Sequence, residues 1–442
     1  MIPSEESGDF FREINSHIKD FRPDTGGKQV SVIVVGAGGR GTVYARIGTM
    51  YPESVKIAGV SDIVEEKRLK MQKQYGIPDN MLFGDYHELF KQPKLADAVI
   101  ISTPDDVHYE PCILALKKGY DVLLEKPVAP TERECRAILR AAKKYGRIVA
   151  VCHVLRYAPY FIAMRETIRS GVIGDVVSVQ HMEPILYSHM AHSYVRGSWR
   201  NSKTSTPIIL AKSCHDLDIM RWLIGKPCKS VSAEGSLYLF RKEMAPEGAA
   251  LRCTDDCPLE STCPYSAIDI YVRKQSFLWA LETAPDKDHA EEILNVLKTS
   301  KYGRCVWHCD NDQPDHYIAN MTFEDGVTGS FNMEAFTPYG GRRTRIMGTK
   351  GYIDGDMTTM NVIDFRSRTG HVWSMDVPEV AEYKGHGHGG GDFGVIRDFV
   401  EAVAAQDPGR LTSTIDASIE SHVIGFAAEK SRLGGRKVKI KM

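Results

Sequence analysis

The chain has 442 residues, of which 43% are hydrophobic, enough for two or three domains with sizeable cores. Lys and Arg total 56 against 57 Asp and Glu, a formal charge of −1. So even a balance gives no electrostatic case for nucleic acid or an anionic membrane as partner, and no apolar run is long enough to span a bilayer.

The N-terminal stretch "MIPSEESGDFFREINSHIKDF" lacks a basic-then-apolar leader pattern and reads as a short amphipathic helix or a loose arm, residues 1–27, closed by the turn-rich "RPDTGGKQ". With ten cysteines and no secretion signal, the expected compartment is the cytoplasm, with reduced thiols or a metal site. From residue 28, "VSVIVVGAGGRGTVYARIGTMY" gives a β-branched run, a glycine turn and a helical pattern. "VKIAGVSD", "ADAVIISTP", "DVLLEKP" and "RIVAVCHVLRY" follow as further strands, with helical patterns between them. That alternation over 28–152 predicts a doubly wound parallel sheet. From 153 to 442 the pattern changes. "VVSVQHMEPIL", "KSVSAEGSLYLF", "HYIANMTFEDG", "VTGSFNMEAF" and "RTRIMGTKGYIDGD" read as antiparallel strands, interrupted at about 241–309 by a cysteine-rich insertion. "FGVIRDFVEAVAAQ" and "IDASIESHVIGFAAEKSRLGG" read as closing helices. The fold class is therefore α/β.

Gly36, Gly38 and Gly41 fit G-x-G-x-x-G directly after the first strand, with Gly39 and Arg40 inside the loop. Such a turn needs glycine for its backbone angles and for close approach of a pyrophosphate, and the next helix presents free N–H groups. Asp62 ends the second strand 62 − 41 = 21 residues after Gly41, where a carboxylate binds the ribose 2′-hydroxyl. A carboxylate there repels a 2′-phosphate, so NAD is expected over NADP; Arg40 keeps NADP open. The competing reading is an ordinary glycine turn.

With this fingerprint, "STPDDVH" and "LEKP" in one N-terminal half, the chain resembles the Gfo/Idh/MocA oxidoreductases, over roughly residues 28 to 435. The resemblance implies a Rossmann domain, a C-terminal α/β domain on a large open sheet, a nicotinamide between them, and a sugar, cyclitol or related polyol as substrate. It also implies a homodimer or homotetramer. Lys126, after Glu125 in "LEKP", then stands at the carboxyl end of a parallel strand, near the reacting hydroxyl and the nicotinamide. A solvated lysine is the bland alternative. Thr103, Pro104 and His108 are expected to line the cofactor pocket with Glu125; His108 reads equally as a helix-start residue.

"ILAKSCHDLDIMRWLIG" carries the second catalytic element. His215 and Asp218 match the family's H-x-x-D, while its upstream aspartate falls at Ala211, beside Lys212. His215 has the pKa range for taking a hydroxyl proton; Asp218, three residues on, is expected to orient it or cap a neighbouring element; Lys212 replaces the missing aspartate or binds a polar substrate group. A packed structural histidine is the alternative for His215. Arg156 and Tyr157 in "HVLRYAPY" are substrate-side candidates. In "KGHGHGGGDFGVIRDF", His388 either reaches the substrate pocket or belongs to a solvated loop, and Asp392 is expected to cap the helix.

In the insertion, "CTDDCPLESTCPYS" groups Cys253, Cys257 and Cys263, and "GRCVWHC" offers Cys305, His308 and Cys309. The spacing suits a structural tetrahedral zinc with Cys305 as fourth ligand; the alternatives are free buried thiols or an iron–sulfur cluster. Cys112, Cys135, Cys152, Cys214 and Cys228 are scattered and read as core residues. The activity expected is NAD-dependent oxidation of a secondary hydroxyl on a sugar, glycoside or cyclitol. Its alternative is an NAD-dependent glycoside hydrolase working by transient oxidation, elimination, water addition and re-reduction.

Overall fold

Strands of Val, Ile and Leu with both faces covered form the first sheet: β1 (Val30–Val35), β2 (Val55–Ser61), β3 (Leu82–Phe83), β4 (Ala98–Ile101), β5 (Asp121–Leu124) and β6 (Val149–Val151). The computed structural model, which describes residues 7–281 and 290–441, pairs them all in parallel in the order β3-β2-β1-β4-β5-β6. β4 and β5 are buried at every position, which accounts for their unbroken apolar sequence. The intervening helices carry ordinary punctuation. Thr131 caps Glu132–Tyr145 by accepting from the Glu134 N–H at 3.3 Å, and Gly146 ends that helix in the left-handed region. Strand order reverses between β1 and β4, so the crevice at their carboxyl ends is where such a sheet takes a ligand.

The second sheet has nine strands: β7 (Val176–Leu186), β8 (Cys228–Ser236), β9 (His316–Phe323), β10 (Thr328–Thr337), β11 (Arg343–Gly348), β12 (Gly351–Gly355), β13 (Thr359–Asp364), β14 (Gly370–Ser374) and β15 (Val438–Lys439). Its order is β14-β13-β12-β11-β7-β10-β9-β8-β15, and every pair is antiparallel except β7 with β10. Alternating burial along β9 and β10 matches a sheet with one covered face. The cysteine-rich insertion is the excursion between the neighbouring strands β8 and β9.

Chain order and packing order differ at the end of the molecule. Val395, Ile396, Phe399 and Val403 of helix Gly391–Ala405 share a core with Val30, Val32 and Val34, and Ile415, Ile419 and Val423 of helix Ile415–Gly434 pack with Val99 and Val122. These closing helices therefore bring C-terminal side chains to the crevice of the first sheet. At the other end, helix Ser7–Asn15 buries Phe11 and Ile14, and Asn15 accepts from Trp373 Nε1 at 2.8 Å; residues 1–6 of the expected arm lie outside the described residues. No helix among the described residues is long and apolar enough to cross a membrane.

Candidate active site

The glycine loop after β1 divides its glycines between two tasks. Gly36 has φ +92°, and a Cβ there would lie 2.7 Å from the Ser102 backbone; a Cβ on Gly41 would lie 2.1 Å from the Gly36 oxygen. Those two positions exclude any side chain so that the loop packs against the end of β4. Gly38 and Gly39 meet nothing within 4 Å, leaving the open side on which a pyrophosphate approaches backbone. Asp62 sits beside this opening. Its two carboxylate oxygens accept from Ala37 N at 2.7 Å and Val64 N at 2.8 Å, which fixes the group while leaving lone pairs for a ribose hydroxyl. The loop and the carboxylate fit a dinucleotide.

Arg40 does not serve as a free cation. It holds Glu125 at 2.7 Å and Asp392 at 2.7 Å, so two carboxylates already match its charge. Burial pushes the Glu125 carboxyl up, but Arg40 and Lys126 outweigh it and hold the group below the usual range. Asp392 pairs with Arg40 and with His388 Nδ1 at 3.0 Å, and its helix begins after Gly390 with no side-chain cap, contrary to the capping expectation. Asp392 thus ties the histidine-bearing loop to the glycine loop.

Thr103 and Pro104 follow β4 next to the glycine loop, where Ser102 Oγ donates to the Gly36 oxygen at 2.8 Å. His108 is only 1% exposed, with ring nitrogens 2.7 Å from the Pro127 oxygen and 2.9 Å from the Thr103 oxygen. It clips the loop after β4 to the loop after β5, which leaves neither nitrogen for a cofactor. Lys126 emerges from that second loop. Its Nζ donates to the Ala211 oxygen at 2.8 Å and lies 5.9 Å from the Trp199 ring centre. Lys126 is thereby held over the segment that leads into His215.

His215 lies in the first turn of helix Cys214–Ile224, 4% exposed, with Nδ1 buried and unpartnered. Burial drives its pKa well below the ordinary histidine value, and the charges of Lys126 and His388 push the same way. The imidazole is therefore neutral near pH 7, the form that accepts a proton. The His388 ring centre is 5.7 Å away, so the glycine-rich loop does reach this site.

Asp218 does not orient His215. It takes Arg156 bidentately, Nε at 2.6 Å and Nη2 at 2.7 Å, while Arg156 Nη1 donates to the Thr412 oxygen at 2.6 Å. Arg156 is 4% exposed and Tyr157, bonded to Ser413 Oγ at 2.9 Å, is 2% exposed. All three are buried struts between the site helix and residues 412–413 rather than substrate contacts. The i, i+3 spacing put His215 and Asp218 on one face; tertiary packing gave Asp218 a better partner in Arg156.

Lys212 also has a partner: its Nζ is 3.1 Å from Glu183 Oε1. That carboxylate belongs to a buried set absent from the sequence reading. Arg342 Nη2 donates to Glu183 at 2.7 Å, Arg342 Nε to Asp216 at 2.7 Å, and His181 Nε2 lies 2.9 Å from Asp216. Burial raises Glu183 despite Arg342, whereas Arg342 and His181 overcome burial at Asp216 and hold it low. Half-buried His189 is a further histidine lowered by burial and then by Lys212. Only the position of Asp216 next to His215, and of Glu183 on an alternating strand, hinted at this network.

Cys253, Cys257, Cys263 and Cys305 line one cavity in the insertion, together with Arg252 and Trp307. All ten cysteines are free thiols. Among the described residues, however, no three His, Cys, Asp or Glu side chains converge so as to hold a metal ion. The expectation of a tetrahedral zinc is therefore not supported: the thiols ring a space instead of meeting at a point. Cys309 lies outside that lining and donates to the Cys305 oxygen at 3.3 Å. The remaining five cysteines, Cys112, Cys135, Cys152, Cys214 and Cys228, are buried core residues as read from the sequence.

Residues 30–153 match the Gfo/Idh/MocA oxidoreductase family's NAD-binding Rossmann fold, and residues 165–440 match the family's C-terminal alpha/beta domain; the chain belongs to this family. It is 26% identical over 361 residues to the putative oxidoreductase YteT of Bacillus subtilis, covering 77% of this chain and 82% of that protein. It is 29% identical over 192 residues to an inositol 2-dehydrogenase/D-chiro-inositol 3-dehydrogenase of Lactiplantibacillus plantarum, a match that spans 43% of this chain and only 51% of that protein. In fold it is similar to a levoglucosan dehydrogenase solved with NADH and levoglucosan, with TM-score 0.69 at 18% identity, covering 94% of this chain and 100% of that one.

Proposed function

We propose that this oxidoreductase uses NAD to oxidise a secondary hydroxyl of a sugar, glycoside or cyclitol. The observation that carries the reading is the approach of Lys126 to His215 at the carboxyl end of β5, in the crevice opened by Gly38 and Gly39. Gly36 to Gly41, Asp62 and the Thr103–Pro104 turn would hold the dinucleotide, and Glu125 would steady the loop through Arg40. When bound, NAD supplies a nicotinamide that accepts hydride from the substrate carbon. His215 takes the hydroxyl proton; with Nδ1 sealed, Nε2 is the ring nitrogen left to meet that hydroxyl. The Lys126 ammonium donates a hydrogen bond to the same oxygen and stabilises its developing charge in a site screened from water. Burial, with the nearby Lys126 charge adding to it, keeps His215 neutral and so able to accept that proton. The inositol and levoglucosan dehydrogenases named above support a polyol or sugar substrate class.

The redox-cycling glycosidase remains the second reading, favoured by one feature. His388 is backed by Asp392 at 3.0 Å and adjoins His215, so the pocket holds a second base of the kind an elimination step requires. Incubation with free sugars, inositols and aryl glycosides, following NADH absorbance and aglycone release together, tests both. Net NADH without aglycone is the expected result; aglycone without net NADH establishes the hydrolase, and neither signal refutes the assignment. The same reading takes the protein as a cytoplasmic homodimer or homotetramer, for which light scattering gives the oligomer mass.

A further inference from the structure

We propose that Cys253, Cys257, Cys263 and Cys305 hold an iron–sulfur cluster through their four thiolates. The backbone assembles these side chains deliberately. Arg252 and Arg304 form an antiparallel bridge, with Cys253 N donating to the Gly303 oxygen at 3.0 Å and Cys305 N to the Leu251 oxygen at 2.9 Å. Residues alternate across such a bridge, so Cys253 and Cys305 emerge on one face while Arg252 and Arg304 emerge on the other. A tight turn adds the remaining two: Glu260 N donates to the Cys257 oxygen at 3.0 Å and Cys263 N to the Leu259 oxygen at 2.9 Å. All four side chains then line one cavity.

The second observation is the set of donors around that cavity. Arg196 has no exposure, yet it forms no ion pair with a carboxylate among the described residues. Its Nε and Nη2 donate to the Arg304 and Tyr265 oxygens at 2.6 and 2.7 Å, Nη2 also lies 3.7 Å from Cys253 Sγ, and Nη1 is buried without a partner. Trp307, 7% exposed and lining the cavity, likewise buries an unpartnered Nε1. Ala267 N donates to Cys253 Sγ at 3.3 Å. A buried guanidinium without a counter-charge is costly, and thiolates on a metal centre are the anion these donors lack.

Geometry separates a cluster from a single ion. Zinc requires four sulfurs within about 2.3 Å of one point. Here no three ligands converge on a point among the described residues, although four thiols share one cavity. Thiols spread around a space suit a core of several irons bridged by sulfide, one thiolate to each corner. Cys309, outside the lining and bonded to the Cys305 oxygen, is not a ligand.

The test is purification of the full chain without oxygen, with iron, acid-labile sulfide and zinc measured alongside the visible spectrum. The expected result is iron and sulfide in equal amounts, roughly four of each per chain, with broad visible absorption that dithionite bleaches. Cys257→Ser and Cys263→Ser lose iron and colour; Cys309→Ser retains both. If the serine variants fold poorly, anaerobic reconstitution of the wild type with ferrous iron and sulfide decides the matter. Uptake to the same stoichiometry supports the cluster. One zinc per chain without sulfide overturns it, as does a metal-free wild type that takes up no iron. These readouts are metal and colour, so they stand or fall separately from the dehydrogenase reading.

Discussion

His153 offers a direct test of how burial sets charge in this protein. Its side chain is 1% exposed, neither ring nitrogen has a hydrogen-bond partner, and burial lowers its pKa to about 3. Asp218, 3.8 Å away, opposes that shift and loses, because its carboxylate is already taken bidentately by Arg156. His422, with its ring centre 5.5 Å from that of His153, is lowered to about 4, again mainly by burial. Both groups are neutral when folded and titrate near 6.5 when unfolded. Below that value the unfolded chain binds more protons, so stability falls as pH falls, and the loss stops growing once the folded pKa values are passed. Each histidine contributes about 1.4 kcal/mol per pH unit, or roughly 2 kcal/mol by about pH 5. Together that is about 4 kcal/mol, against a total of roughly 5–15 kcal/mol for an ordinary protein. His153→Phe keeps an aromatic ring, removes no hydrogen bond and abolishes one of the two titrations. Urea unfolding followed by tryptophan fluorescence at about pH 7.5 and about pH 5 should show the variant losing roughly 2 kcal/mol less than the wild type between the two conditions. Equal losses in both proteins would mean that His153 is charged in the folded state, and the argument from burial would fail.

His215→Ala and Lys126→Ala should each lower single-turnover NADH formation by at least about 10² while leaving NAD affinity, titrated separately, little changed. Normal hydride transfer in His215→Ala would move the base to His388, the next histidine in the pocket. Asp62→Ser should weaken NAD by roughly ten- to a hundredfold, the worth of hydrogen bonds to a charged group, and narrow the preference over NADP; fluorescence titration of both cofactors reads this, and unchanged selectivity removes Asp62 from the ribose site. Arg156→Met should destabilise by about 3–5 kcal/mol by leaving Asp218 buried and unpaired. A raised KM at unchanged thermal stability would instead make Arg156 a substrate contact.

What the sequence disclosed and what it hid divide along physical lines. The first sheet was legible because its strands are buried on both faces and its turns need glycine at φ values that few other residues adopt, as at Gly36 and Gly146. Lys126 and His215 stood out as candidates because they lie in short local patterns. Partner choice among buried charges was not. Glu183, Asp216 and Arg342 are distant in sequence, and only the fold brings both carboxylates to 2.7 Å from Arg342. The same competition removed Asp218 from His215 and Arg40 from any 2′-phosphate, since each has a bidentate or paired partner supplied by another element. The cysteine spacing correctly grouped four thiols, but spacing along a chain does not reveal whether they meet at a point or surround a space.

The insertion and the candidate active site are joined by one short segment, and this gives the insertion a reason to exist. After β7, the helical turns Tyr187–His189 and Met190–Arg196 carry His189 toward Lys212 and His388 at one end and Arg196 toward the thiols at the other. Between them the His192 ring stacks on Phe277 at 4.3 Å and on Tyr302 at 5.0 Å, and its Nδ1 lies 2.8 Å from the Tyr271 hydroxyl, three residues of the insertion. Trp199, a few residues on, bonds Asp105 of the first sheet's loop at 3.3 Å and lies against Lys126. Every residue of Met190–Arg196 is buried, so this segment owes its position to what packs against it. The stacked rings and the buried Arg196 hold it. Through that segment the insertion braces the side of the candidate site that carries Lys126, Lys212 and His388.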